Sequence, residues 1–191
     1  IGQSMKQRVR HGLFLLKLTA LALLIVALAR PQSSSKEEEV ITEGVDIILA
    51  LDVSSSMRAE DFKPKNRLEA AKNVAREFIE GRVNDRIGMV VFAGQSFTQC
   101  PLTLDYGVLI TLLEQIKIAD ENWDGTAIGM GLVNAVNRLR DSKARSKIVI
   151  LLTDGENNAG QIDPVTAARI AQSFNVKIYT IGAGTREIGR A

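Results

Sequence analysis

Short, nearly unbroken apolar runs constrain this chain more than any other feature: VDIILALD at 45–52, RIGMVVFA at 86–93, KIVILLT at 147–153 and VKIYTIG at 176–182. A strand with one wet face alternates apolar and polar residues. A strand covered on both faces does not, and this is how parallel strands inside a layered α/β sheet read. The segments between the runs carry helical spacing. Asn66 to Glu80 puts Leu68, Ala71, Ala75, Phe78 and Ile79 on one face and meets Gly81 as a stop. Tyr106 to Gln115 and Ala127 to Leu139 are amphipathic, and Asp163 with Pro164 forms the N-cap and first position of a helix running to Phe174. SFTQCPLT at 96–103 is a further strand, which Pro101 confines to a sheet edge. Strands and helices alternating in this way predict an α/β fold: a doubly wound, mainly parallel open sheet with helices on both faces.

The N-terminal part is built differently. From Leu13 to Ala29 the chain reads LFLLKLTALALLIVALA, broken only by Lys17 and Thr19 and ended by Arg30 and Pro31. As a helix this run is about 26 Å long, near the lower limit for spanning a bilayer, and Lys17 can snorkel to the headgroups. A secretory signal peptide is the alternative, but Pro31 makes ALARPQ a poor cleavage site. The expected plan is a basic cytoplasmic segment at 1–12, one transmembrane helix at 13–29, a polar linker at 30–40 and a folded domain at 41–191. Lys6, Arg8 and Arg10 before the helix outweigh Arg30 and Lys36 after it. That bias predicts an inner-membrane protein with its N-terminus in the cytoplasm and its domain in the periplasm.

Composition removes several functions. With 24 basic and 22 acidic residues the net charge is +2, so no nucleic-acid surface is expected. The single cysteine, Cys100, cannot form an intrachain disulfide and reads as a small core residue. The single histidine, His11, precedes the domain. A His/Cys zinc site and serine catalysis by a histidine base therefore both lack their residues.

What remains is oxygen chemistry at strand ends. Open α/β sheets bind ligands at the carboxyl ends of their strands, where the strand order reverses. The first strand runs into Asp52-Val53-Ser54-Ser55-Ser56-Met57, the strand at 147–153 runs into Thr153-Asp154-Gly155, and a loop between them offers Asp124-Gly125-Thr126. If the two strands are neighbours at the reversal, Asp52, Ser54, Ser56, Thr126 and Asp154 converge on one crevice. In an extended turn the D-x-S-x-S spacing points its alternate side chains the same way. Carboxylates and hydroxyls together suit Mg2+, with Mn2+ possible. Each piece also has a plain structural use, as a helix cap or a turn; the three in this order predict a metal site.

DVSSSM, DGTAIG and LLTDGENN resemble the three parts of the metal-ion-dependent adhesion site of von Willebrand factor type A domains, over about residues 45–184. The resemblance implies the same five metal ligands, and one more strand with a covering helix beyond Gly182. ALARPQ, FAGQSFTQCPLTLDY and GTAIGMGLVNAVNRL further resemble the bacterial Bat aerotolerance membrane proteins, the BatA type in particular. That likeness implies sister Bat proteins and a cytoplasmic MoxR-type AAA+ ATPase as partners, and a role linked to stress or aerotolerance. The expected function is partner binding, a protein Asp or Glu completing the metal shell, and not catalysis. A Mg2+-dependent phosphoryl-transfer enzyme is an alternative, but Ser54 stands where an aspartyl-phosphate phosphatase would need a second carboxylate. A scaffold with a vestigial site is the other alternative.

Overall fold

The computed structural model describes residues 5–28, 44–60, 66–155 and 157–183. The chain divides into two compact units, Ile1–Val40 and Ile41–Ala191.

In the first unit, α1 runs from Met5 to Leu28. Phe14, Leu16, Leu18 and Leu23 along it are 54 to 70% exposed, so it has no single apolar stripe to bury. Among the described residues no helix is long and apolar enough to cross a membrane. Of the run read at 13–29, Ala29 lies outside the described residues and 25–28 are described in backbone only. The linker expected at 30–40 and everything after Ala183 also lie outside them.

The second unit contains β1 (Asp46–Asp52), α2 (Arg67–Glu80), β2 (Arg86–Phe92), β3 (Ser96–Thr103), α3 (Tyr106–Glu114), α4 (Ile128–Leu139), β4 (Lys147–Thr153), α5 (Pro164–Ser173) and β5 (Val176–Gly182). The strands form one sheet in the order β3-β2-β1-β4-β5. β1 is parallel to β2 and β4, β4 is parallel to β5, and β3 alone runs antiparallel, on the edge where Pro101 needs no partner for its missing N–H. β1 and β4 are neighbours, and the chain order reverses between them.

Alternation along β1 splits the core in two. Ile47, Leu49 and Leu51 face Leu68, Ala75 and Ile79 of α2 with Leu109 and Leu113 of α3. Ile48 and Ala50 face Leu132 and Val136 of α4 with Ala167 and Ala171 of α5. Both faces are covered, which is why all seven residues of β1 are buried. Each wholly buried Ile or Leu contributes roughly 1.5–3 kcal/mol. Gly131 lets α4 approach the sheet, since a Cβ there would stand 2.7 Å from the Phe92 ring.

The helix starts are set by side chains that accept orphan amides. Asn66 caps α2 on the Glu69 N–H at 2.8 Å, Asp105 caps α3 on Val108 at 3.0 Å, and Asp163 caps α5 on Thr166 at 3.1 Å with Pro164 behind it. Cys100 is a buried free thiol, its pKa pushed up chiefly by burial.

Candidate metal centre

β1 delivers Asp52 to the carboxyl end of the sheet, beside Phe92 of β2 on one side and the end of β4 on the other. The residue is wholly buried, at 0% exposure. Its Oδ1 accepts the Ser54 N–H at 2.9 Å and its Oδ2 accepts the Thr153 hydroxyl at 2.6 Å. Among the described residues its hydrogen-bond donors are neutral, and it belongs to no ion pair. Burial pushes the Asp52 carboxyl above its ordinary value, hydrogen bonds from Ser54 and Thr153 oppose the rise, and the charge of Asp154 adds to it.

After Asp52 the chain remains extended through Ser54 and then tightens into a 3-10 turn over Ser55–Arg58. The expected extended turn is therefore cut short, because Met57 folds back into the core, where it is 0% exposed. Ser54 and Ser56 still meet, Oγ to Oγ, at 2.9 Å. The Ser56 hydroxyl donates to Asp154 Oδ1 at 2.8 Å, while the other Asp154 oxygen accepts from Arg67 Nη1 at 2.6 Å. Asp52, Ser54, Ser56 and Asp154 thus lie in one cluster drawn from β1, its turn and the end of β4.

Thr126 approaches from the third segment. It is 3% exposed, its N–H donates to Asn158 Oδ1 at 2.7 Å, and its carbonyl accepts the Asn158 N–H at 3.1 Å. Its Oγ1 would lie 3.8 Å from a Cβ on Gly155, next to Asp154, and makes no hydrogen bond within the cluster among the described residues. Gly125 turns the loop with φ 110°, a conformation glycine adopts without strain. Asp124 ties this loop to the β1 turn, accepting the Ser55 N–H at 3.0 Å and the Ser55 hydroxyl at 2.7 Å. Those bonds hold its carboxyl below the usual carboxylate value.

Thr153, Asp124, Asn158 and Arg67 were not among the expected site residues. The first three lie within the quoted motifs, so a hydroxyl, carboxylate or amide sharing a motif with a ligand was the available signal. Arg67 sits 87 residues from Asp154 and had none.

The donor set is all oxygen: two carboxylates and three hydroxyls. Among the described residues no three His, Cys, Asp or Glu side chains group around a common point. A buried carboxylate that no cation answers among the described residues, beside a second carboxylate and a string of hydroxyls, fits a hard dication.

The profile of the von Willebrand factor type A domain matches residues 46–189. The chain belongs to that family. Its type A domain is similar to the structure of an aerotolerance-related membrane protein from Bacteroides fragilis, with TM-score 0.69 and 36% identity, covering 75% of this chain and 70% of that one. It is also similar to BatB from Bacteroides thetaiotaomicron, with TM-score 0.66 and 38% identity, covering 73% and 66%. The Bat-type resemblance read from the sequence thus extends to solved structures. Proximal thread matrix protein 1 from the mussel byssus, solved with its MIDAS motif occupied by zinc, matches with TM-score 0.64 and 28% identity over 74% of this chain and 36% of that one. The chain spans about half the length of the curated relatives it matches, 49% and 55% of the first two.

Proposed function

We propose that this type A domain binds a partner protein through a divalent cation, Mg2+ or Mn2+, held by Asp52, Ser54, Ser56, Thr126 and Asp154. The observation that carries the proposal is Asp52: a wholly buried carboxylate whose hydrogen-bond donors, among the described residues, are all neutral. The zinc-occupied motif in the mussel relative supports a dication at this place. A bound dication supplies a Lewis-acidic point to which a carboxylate can bind. The chain's own residues shape its surroundings. Asp52 and Asp154 provide the charge, Ser54, Ser56 and Thr126 provide neutral oxygens, and Asp124 holds two of the segments together through Ser55. Three neutral ligands leave the loaded site short of anions, so a partner Asp or Glu completes it.

Binding is the whole of the activity proposed: the domain contains no histidine to act as the base for serine catalysis. The apolar run 13–29 anchors the chain in the inner membrane with the domain in the periplasm. Side chains such as Leu16 and Leu23, exposed around α1, require a lipid or protein cover. Sister Bat proteins in the same membrane are the first partners proposed, and a MoxR-type ATPase would be reached across it.

Affinity capture from solubilised membranes, using the full chain and Asp52→Ala with Mg2+ or chelator, tests the proposal. Partners retained by wild type in Mg2+ and lost in both chelator and Asp52→Ala support it. Capture indifferent to chelation would favour a scaffold, and Mg2+-dependent phosphatase activity lost in Asp52→Ala would favour an enzyme.

A further inference from the structure

We infer that Arg67 is a resident counter-charge of the metal centre, which holds Asp154 in place and trades divalent affinity for a stronger grip on an incoming carboxylate. This rests on the metal-site reading and adds a residue to it.

Asp154 divides its oxygens between two directions. Oδ1 accepts from Ser56 and faces the ligand cluster, while Oδ2 takes the Arg67 guanidinium at 2.6 Å. The pair is well shielded, with the Asp154 side chain at 0% exposure and that of Arg67 at 21%. Screening by water is accordingly weak and the charge acts at close range.

Arg67 is also fixed in position. It is the first residue of α2, its own N–H donates to the Ala59 carbonyl at 2.9 Å, and the Asn66 cap behind it is bonded to Glu69 at 2.8 Å. The guanidinium is thus presented by an anchored helix start to the Asp154 oxygen that does not accept from Ser56.

Its consequences have opposite signs for two ligands. Asp52 and Asp154 bring two negative charges to a dication, and the Arg67 guanidinium on Asp154 adds one positive charge beside them. The guanidinium therefore repels the arriving metal and attracts an arriving carboxylate. A residue that merely propped up the loop would, when removed, weaken both. Opposite movement of the two affinities is the signature of a counter-charge.

The test uses the full chain in detergent micelles. Mg2+ is titrated by calorimetry into wild type, Arg67→Gln, Arg67→Lys and Asp52→Ala, and acetate is then titrated into each Mg2+-loaded protein. Removing one nearby charge should tighten Mg2+ by about tenfold in Arg67→Gln and weaken acetate by a similar factor. Arg67→Lys, which keeps the charge, should remain within about threefold of wild type for both ligands. If Arg67→Gln melts early in chelator, Arg67→Met, which keeps the aliphatic stem, takes its place. Unchanged or weaker Mg2+ binding in the neutral variant, or a lysine variant that behaves like the glutamine one, overturns the inference. Undiminished Mg2+ binding in Asp52→Ala would instead overturn the metal site beneath it.

Discussion

The two ends of β1 each hold a buried aspartate, and they are treated in opposite ways. Asp46, 2% exposed, accepts Arg86 Nε at 2.8 Å and Arg86 Nη2 at 2.5 Å, and takes a further hydrogen bond from the Ser142 hydroxyl. Asp52, six residues on and 0% exposed, accepts one amide and one hydroxyl among the described residues. The forked guanidinium satisfies Asp46 within the chain, so that end of the strand is finished. Burial disfavours the charged form of Asp52, and among the described residues no internal cation answers it. A buried carboxylate completed from within is a structural part; one left incomplete at the carboxyl end of a parallel sheet is a place for an external cation.

This contrast can be broken from either end. The largest effect should come from the cation itself: Mg2+ at a hundredfold excess over its dissociation constant should stabilise the wild type by about 2.7 kcal/mol. The same addition should leave Asp52→Ala unmoved, and urea melts with and without chelator measure both. Next in size is Arg86→Ala, which strands Asp46 without its partner. Loss of one member of a buried pair costs roughly 3–5 kcal/mol, and because half of Arg86 is exposed, water can enter and about 2 kcal/mol is expected. Asp52→Asn, in contrast, should leave the metal-free protein as stable as wild type at neutral pH, since no ion pair is broken. Denaturant midpoints of the two variants in chelator should therefore separate clearly.

A smaller change is expected from Thr153→Val. It takes one of the two donors from Asp52 and should lower metal-free stability by about 1 kcal/mol. The gentlest effect is on pH dependence. The folded carboxyl of Asp52 titrates above its ordinary value, so its contribution favours the fold at low pH and is lost as pH rises through the folded value. With Mg2+ bound the slope should reverse over that window, because the cation requires the ionised form. Thermal melts from pH 4 upward, with Mg2+ and with chelator, would show the crossing or its absence.

Much of this architecture was written in local pattern. The buried strands announced themselves because burial on both faces removes polar residues altogether, α2 because Leu68, Ala71, Ala75 and Ile79 share a face that Gly81 ends, and α5 because Asp163 sits where its orphan amides need an acceptor. The neighbouring placement of β1 and β4 entered the sequence reading only as a condition, which the sheet order meets. The turn after Ser54 was not legible, since it depends on Met57 finding space in the core beneath it. Nor was Lys72, which lies on the buried face of α2 with its ammonium on Glu69 and the Glu114 carbonyl, both outside the hydrophobic period that defines the helix. Arg67 escaped for a related reason: its partner comes from β4, and no spacing within α2 points there.

The most direct measurement is a Mg2+ titration of three chains under identical conditions: wild type, Asp52→Ala and Asp46→Ala. Calorimetry in detergent micelles, with circular dichroism confirming that each chain is folded, provides the comparison. The account predicts that wild type and Asp46→Ala bind Mg2+ with similar affinity while Asp52→Ala shows no saturable binding. Equal binding by all three chains, or none by a folded wild type, would contradict it.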